Sequence, residues 1–149
     1  MNKLDQFIKK INYSDPTKLK ENNIDLDEEI KESIYRINES GWCFTLWCCA
    51  GHIKKDAIEV IPYIVFAVDN KFKTRILNHL FETTKFGKKS TKFPLLSNAR
   101  LELCMGYNDK DYSIISAYWY LNNPKQLKIL HEKLNAFSYK VKYEQKNRC

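Results

Sequence analysis

The chain has 149 residues, a formal net charge of +7 and a sequence pI near 9.1. This length suits one domain with a core of its own, and no apolar run is long enough to span a membrane. Its five cysteines include no Cys-x-x-Cys pair, which argues against a zinc ribbon and against a secreted disulfide framework. The composition therefore predicts a single domain in a reducing, cytoplasmic setting.

Hydrophobic spacing divides the chain into helices and strands. Helical spacing is clearest where Ile30, Ile34 and Ile37 recur, a segment followed by Gly41 as a helix end, and Asn123-Pro124 is typical of a helix start. The predicted helices are 3–12, 26–39 with Asp25 as N-cap, a third running from Asp69 or Asn70 to about Thr84, and a fourth from Pro124 through Phe137. The predicted strands are 42–49 as a central strand, 58–68 bent or started at Pro62, 100–105, 112–120 and an edge strand over 139–144, with a hairpin turn at 106–109.

These elements follow the order α-β-β-α-β-β-α-β. Hairpins alternating with helices predict one layered α+β domain, in which helices pack on one face of a mainly antiparallel sheet. The domain covers residues 1–149, and residues 1–24 form a peripheral helix and linker. Aromatic residues concentrate on the predicted strands, where filling a helix-on-sheet core is favoured and base stacking is the alternative.

The first candidate site is the turn that follows the strand ending at Cys49. Gly51 permits close backbone approach to an anion, Lys54 and Lys55 add positive charge, and an imidazole at His52 suits a general base or a phosphate contact. We predict Cys49 and His52 as catalytic candidates, and Gly51, His52, Lys54 and Lys55 as ligand contacts. The alternative is an ordinary surface loop. No second pair of ligands accompanies Cys49 and His52, so no metal site is predicted.

The second candidate is the lysine cluster over residues 85–92, which contains Lys88 and Lys89. Together with the net charge it favours an acidic partner, nucleic acid or a phosphorylated small molecule, although AT-rich codon usage also enriches lysine. Arg100 follows this cluster and can hold a phosphate or carboxylate in a bidentate manner. A surface ion pair with Glu102 is the alternative for this arginine.

The segment from Thr45 to His52 reads Thr-Leu-Trp-Cys-Cys-Ala-Gly-His. It resembles the strand-turn Thr-x-Ser-Ser-Cys-Ser-Gly-Arg of the wybutosine-synthesis tRNA methyltransferase family, with matches at Thr45, Cys49 and Gly51 and with His52 in the arginine position. The resemblance extends over residues 27–69 and implies RNA methyl transfer with S-adenosylmethionine. The Cys-x-Gly-His pattern of residues 49–52 also resembles a pattern in small uncharacterised bacterial and phage proteins, and this resemblance implies no activity.

Three hypotheses follow from these observations. The first is binding of a phosphate-bearing ligand, a nucleotide or RNA, including nucleotide sequestration by a small bacterial or phage protein. The second is an RNA-modifying enzyme of the S-adenosylmethionine-dependent tRNA methyltransferase type, the one hypothesis that implies a cofactor. The third is a protein–protein adaptor with an exposed aromatic edge. The sequence predicts no membrane partner and leaves open whether a reaction is catalysed and whether the chain forms a homo-oligomer.

Overall fold

The computed structural model describes residues 6–7, 26–84 and 99–146, with the side chains of 143–146 excepted. The predicted helix over 3–12 lies outside these residues apart from Gln6 and Phe7, which are helical. Within 26–84 and 99–146 the helices are α1 Lys31–Glu39, α2 Lys73–Glu82 and α3 Pro124–Lys146, and the strands are β1 Cys43–Cys49, β2 His52–Lys54, β3 Ala57–Val60, β4 Tyr63–Asp69, β5 Arg100–Asn108 and β6 Tyr112–Tyr120. None of these helices is both long and apolar enough to cross a membrane.

Four antiparallel strands in the order β1-β4-β6-β5 form the main sheet. The prediction that 42–49 is a central strand was wrong, because β1 lies at one edge and β4 and β6 occupy the centre. The sequence of β1 predicts a central strand because it places apolar residues on both faces, and both faces are covered in the structure. Cys43 joins the core beneath the helices, while Phe44 and Leu46 pack with Phe7 on the other face.

A second, two-stranded sheet pairs β2 with β3. Its turn residues Lys55 and Asp56 have φ values of 52° and 63°, as a two-residue hairpin turn with the right-handed twist of strands requires. The single predicted strand over 58–68 is therefore two strands that belong to different sheets. The break falls at Pro62, which has no N–H to donate to a strand ladder.

All three helices pack on one face of the main sheet, which confirms the predicted α+β arrangement for the described residues. Trp119 lies at the centre of this core, fully buried, and its indole N–H donates to Thr83 Oγ1 at 2.7 Å. Burial of such apolar surface is the main stabilising contribution to the fold. The core contains Ile34 and Ile37 from α1, Ile76 and Leu80 from α2, Leu130, Leu134, Phe137 and Val141 from α3, and Ile64, Phe66, Ile115 and Ala117 from the sheet.

The predicted edge strand over 139–144 was wrong, because α3 continues through it to Lys146. Val141 is fully buried, four residues beyond Phe137, and so extends the helical stripe. The flanking lysines form ion pairs with the neighbouring helices. Lys140 Nζ lies 2.5 Å from Glu82 Oε2 on α2, and Lys142 Nζ lies 3.2 Å from Glu39 Oε2 on α1. A six-residue alternation of polar and apolar residues fits a strand equally well, so packing against α1 and α2 decides the outcome.

Two predicted boundaries shift. β5 runs on through 106–108, so the hairpin turn falls at 109–111 instead of 106–109. The Ser113 hydroxyl, with Asn108 Oδ1 at 2.8 Å and Asn70 Oδ1 at 2.6 Å, holds the end of the hairpin to the end of β4. Helix α1 begins at Lys31, later than the predicted residue 26, and the proposed cap Asp25 lies outside the described residues. Gly41 follows the end of α1 with φ of 78°, as the helix-end prediction requires.

Candidate functional site

Three side chains with ligand or acid–base chemistry meet where β1 ends. Cys49 is the last residue of β1, His52 is the first residue of β2, and Asp27 precedes α1. One carboxylate oxygen, the thiol sulfur and one ring nitrogen all lie within 4.8 Å of one another. The prediction named Cys49 and His52 and missed Asp27, because 22 positions separate Asp27 from Cys49 in the sequence.

Backbone hydrogen bonds hold this cluster, which we call the Asp27–Cys49–His52 triad. The Ala50 N–H donates to Asp27 Oδ2 at 2.7 Å, and the Gly51 N–H donates to Cys49 Sγ at 3.4 Å. On the other side, His131 Nε2 donates to the Ala50 carbonyl at 2.8 Å. The turn therefore brings the carboxylate and the thiol together through its own amide groups. His131 is on α3, so this contact joins the turn to that helix.

Gly51 is needed here for packing and conformation. Its φ is 91°, in the left-handed region that other residues rarely adopt. A Cβ at this position would lie 2.7 Å from Leu127 Cδ1 and 3.3 Å from the Val60 carbonyl oxygen. Gly51 is predicted to let its backbone approach an anion closely. In the structure the groups that lie close to it are Leu127 and Val60 of the protein itself. A contact with an anion stays a prediction.

The environment of the triad disfavours a free thiolate. Burial, and secondarily the negative charge of Asp27, raise the pKa of the Cys49 thiol, although the Gly51 N–H acts in the opposite direction. Nucleophilic cysteines need the reverse, an electropositive site that lowers the thiol pKa. The described surroundings of Cys49 therefore do not activate it as a nucleophile in the absence of a cation.

The surface beside the triad is acidic. A cleft of about 400 Å³ lies between α1 and α3, and His131, which binds the Ala50 carbonyl, forms part of its wall. Four carboxylates line this cleft against one lysine, and they belong to Glu28, Glu29, Glu32 and Glu132, with Lys128 opposite. Such a surface attracts cations more readily than phosphates.

The remaining predicted ligand residues belong to two regions of the fold. Lys54 and Lys55 are in the β2–β3 hairpin that begins at His52, and Lys54 Nζ is 3.9 Å from Glu59 Oε1. Arg100 is on β5, at the opposite edge of the four-stranded sheet from Cys49, and the two edge strands are about 14 Å apart by strand spacing. Lys88 and Lys89 lie outside the described residues. The structure thus brings Cys49, Gly51 and His52 together and separates them from Arg100.

A row of aromatic side chains connects the two edges, on the sheet face opposite the helices. In the strand register Cys49 lies opposite Tyr63, and Tyr63 lies opposite Tyr118. The two tyrosine rings are 6.0 Å apart, and next along β6, Tyr120 lies opposite Arg100. We call the partly exposed set Trp47, Tyr63, Tyr118 and Tyr120 the aromatic face.

Arg100 stacks at the end of this aromatic face. Its guanidinium carbon is 4.4 Å from the Tyr120 ring centroid, and its side chain is 68% exposed. Arg100 Nη2 lies 3.9 Å from Glu102 Oε2, and Glu102 lies opposite Tyr118. The ion pair considered as the alternative role of this arginine is therefore present, and a contact of Arg100 with a phosphate or carboxylate stays a prediction. Alternation along β6 places Trp119 in the core and its neighbours Tyr118 and Tyr120, which are partly exposed, on the opposite face of the sheet.

Comparison with known proteins finds no matching family model, curated protein or solved structure. The resemblance of residues 27–69 to the tRNA methyltransferase family therefore stays a prediction. The function has to be argued from the chemistry of the aromatic face and of the triad.

Proposed function

We propose that this protein binds single-stranded RNA or nucleotides on its aromatic face. The observation that carries the proposal is the row of partly exposed tyrosines, ending in an arginine, on a sheet whose other face is covered by helices. Proteins that bind single strands combine aromatic rings, on which bases stack, with cationic groups that follow the phosphates. Each stacked base contributes about 1–3 kcal/mol in such sites.

Rigidity of the platform supports the proposal. Tyr63 and Tyr118 are on the two central strands, which pair with each other along seven residues without a register shift. Their neighbours Phe66 and Trp119 anchor the same strands in the core. Rings on a fixed sheet lose little conformational freedom when a base stacks on them, which favours binding.

Charge at the Arg100 end also supports it. Residues 85–98 lead into Arg100 and contain four lysines and no acidic residue, so they supply four of the seven excess positive charges. Phosphate groups attract such a segment in any conformation it adopts. Glu102, beside Tyr118, can accept hydrogen bonds from base amino groups, which provides a basis for preference among bases.

The test measures binding of labelled oligonucleotides of about 12 nucleotides, which covers the usual range of site sizes. Fluorescence anisotropy gives the affinity for single-stranded RNA, for the corresponding duplex and for mononucleotides. We expect Tyr118→Ala to weaken RNA binding about 5- to 150-fold, the equivalent of one lost stacking contact. Tyr139→Ala is the matched control, because Tyr139 is 55% exposed but lies on α3, among the helices.

Tryptophan fluorescence supplies an independent signal. Trp47 is 50% exposed on the aromatic face, whereas Trp42 and Trp119 are buried. Stacked bases should quench the emission of Trp47, and Trp47→Phe should remove the quenching. The proposal fails if neither RNA nor nucleotides bind, or if Tyr118→Ala and Tyr139→Ala bind them equally well. Binding of a protein at this face in place of RNA would support the adaptor hypothesis and overturn this one.

A further inference from the structure

We propose that Asp27, Cys49 and His52 form a zinc site with a fourth position open to water or to a ligand. The three donors are a carboxylate, a thiol and an imidazole, the groups that zinc prefers in proteins. Their ligand atoms all lie within 4.8 Å of one another, and His52 Nε2 lies 3.9 Å from Asp27 Oδ2. This inference is independent of RNA binding at the aromatic face.

The spacing is close to that of a metal site. Zinc–ligand bonds of about 2.0–2.3 Å in a tetrahedral site place ligand atoms about 3.3–3.8 Å apart. Closing from the present limit of 4.8 Å requires movement of at most about 1–1.5 Å. His52 can supply it, because its side chain is 53% exposed and stands at the start of a short hairpin strand.

The groups around the donors match the supporting hydrogen bonds found around zinc. The Ala50 N–H fixes one oxygen of Asp27, and the Gly51 N–H points at Cys49 Sγ. Hydrogen bonds of this kind orient the ligands and adjust their basicity. His131 Nε2 donates to the Ala50 carbonyl at 2.8 Å. The Ala50–Gly51 peptide group is therefore held at its carbonyl by His131 and at its N–H by Cys49.

The electrostatics also point to a cation. The Asp27 carboxylate and the acidic cleft beside it concentrate negative charge near a buried thiol. These negative groups and the burial favour the protonated thiol. A bound divalent ion reverses that preference, because it stabilises the thiolate directly. When the zinc–sulfur bond forms, the sulfur–hydrogen bond breaks and the proton passes to solvent. A thiolate and an imidazole favour zinc over magnesium or calcium, which prefer oxygen ligands only.

Three protein ligands leave one tetrahedral position open, as in catalytic zinc sites. Here that position adjoins the aromatic face, since Cys49 lies opposite Tyr63 in the sheet. A ligand that stacks on Tyr63 would therefore lie next to the metal.

Cobalt titration tests the site without reference to activity. Metal-free protein, with Cys149→Ser to remove the cysteine outside the described residues, is titrated with Co²⁺ and then with Zn²⁺. We expect one metal per chain, a sulfur-to-cobalt charge-transfer band, intense visible bands of tetrahedral cobalt, and displacement by zinc. Asp27→Asn and His52→Ala should weaken zinc binding at least tenfold, and Cys49→Ser should abolish the charge-transfer band.

Cys104→Ser is the matched control, because Cys104 is an exposed thiol on β5 at the far edge of the sheet. Its replacement should leave the cobalt spectrum unchanged. If Cys49→Ser fails to fold by circular dichroism, His52→Ala decides the question, since His52 is exposed. The proposal is overturned if metal binds with less than one equivalent per chain, if His52→Ala binds zinc like the parent, or if the charge-transfer band depends on Cys104.

Discussion

Gly51 combines two demands that no other residue satisfies, a left-handed backbone and close approach to a neighbouring helix. We expect Gly51→Ala to lower the free energy of unfolding by about 2–4 kcal/mol, from left-handed strain and from the contact with Leu127. Urea unfolding measures the loss. Gly106→Ala is the control, because a Cβ there meets nothing within 4 Å. Equal stability of the two variants would contradict the packing role of Gly51.

Two thiols, buried Cys43 and half-buried Cys48, give a pH prediction. Burial raises the pKa of Cys43 and of Cys48 from 9.0 to about 12. Below pH 9 both thiols are protonated in the folded and in the unfolded chain, so their contribution to the free energy of unfolding is fully present and does not change with pH. Above pH 9 the unfolded chain ionises first, and the free energy of unfolding should fall by up to about 1.4 kcal/mol per pH unit for each thiol.

Urea unfolding between about pH 8 and 10.5 measures this slope. Cys48→Ala should flatten it, whatever its effect on stability at neutral pH, because one of the two thiols with a raised pKa is removed. Cys104→Ala, the exposed control, should leave the slope unchanged. A slope that Cys48→Ala does not alter would show that other groups produce the alkaline destabilisation.

At the scale of elements, α3 joins the two shorter helices. Its buried stripe continues to Val141, and Arg36 of α1 donates to Ser138 Oγ at 3.0 Å and stacks on Tyr139. Among the described side chains, residues 139–142 thus contribute Val141 to the core and contacts with Arg36, Glu39 and Glu82 to the neighbouring helices. That arrangement requires a helix, because a strand would place residues 139 and 141 on the same face.

Alanine substitutions distinguish the two conformations. Val141→Ala should cost about 1.5–3 kcal/mol, because it removes two fully buried methyl groups and leaves a cavity. Tyr139→Ala should cost about 1 kcal/mol or less, the scale of an exposed cation–π contact with Arg36. Thermal unfolding measures both. Similar large losses for the two variants would indicate that both side chains are buried on one face.

At the scale of the whole molecule, positive charge is unevenly distributed along the chain. Replacing Lys88 and Lys89 by glutamate should weaken RNA binding and reduce its salt dependence, because fewer counterions are released. Lys125→Glu with Lys128→Glu makes the same change in net charge on α3, away from the aromatic face, and should have a smaller effect. Anisotropy titrations at several salt concentrations measure both pairs. Equal weakening would attribute binding to net charge alone.

The two candidate sites differ in how far the sequence predicts them. Cys49, Gly51 and His52 are close in sequence, so their proximity follows from a short turn. Arg100 is a candidate by residue type alone, and strand order places it at the edge of the sheet opposite Cys49. Residue type identified candidate side chains, and only the order of strands showed how far apart they lie.

Local spacing by itself determined the helix at Ile30–Ile37, the strand over 112–120, the helix start at Asn123-Pro124 and the α+β class. These features depend on contacts within a few residues or on one repeated face, so the sequence contains the signal. Only the tertiary structure decided that Asp27 joins Cys49 and His52, and that β1 lies at an edge. The reason is physical: such contacts join residues distant in sequence, and they depend on which strands pair and which faces the helices cover.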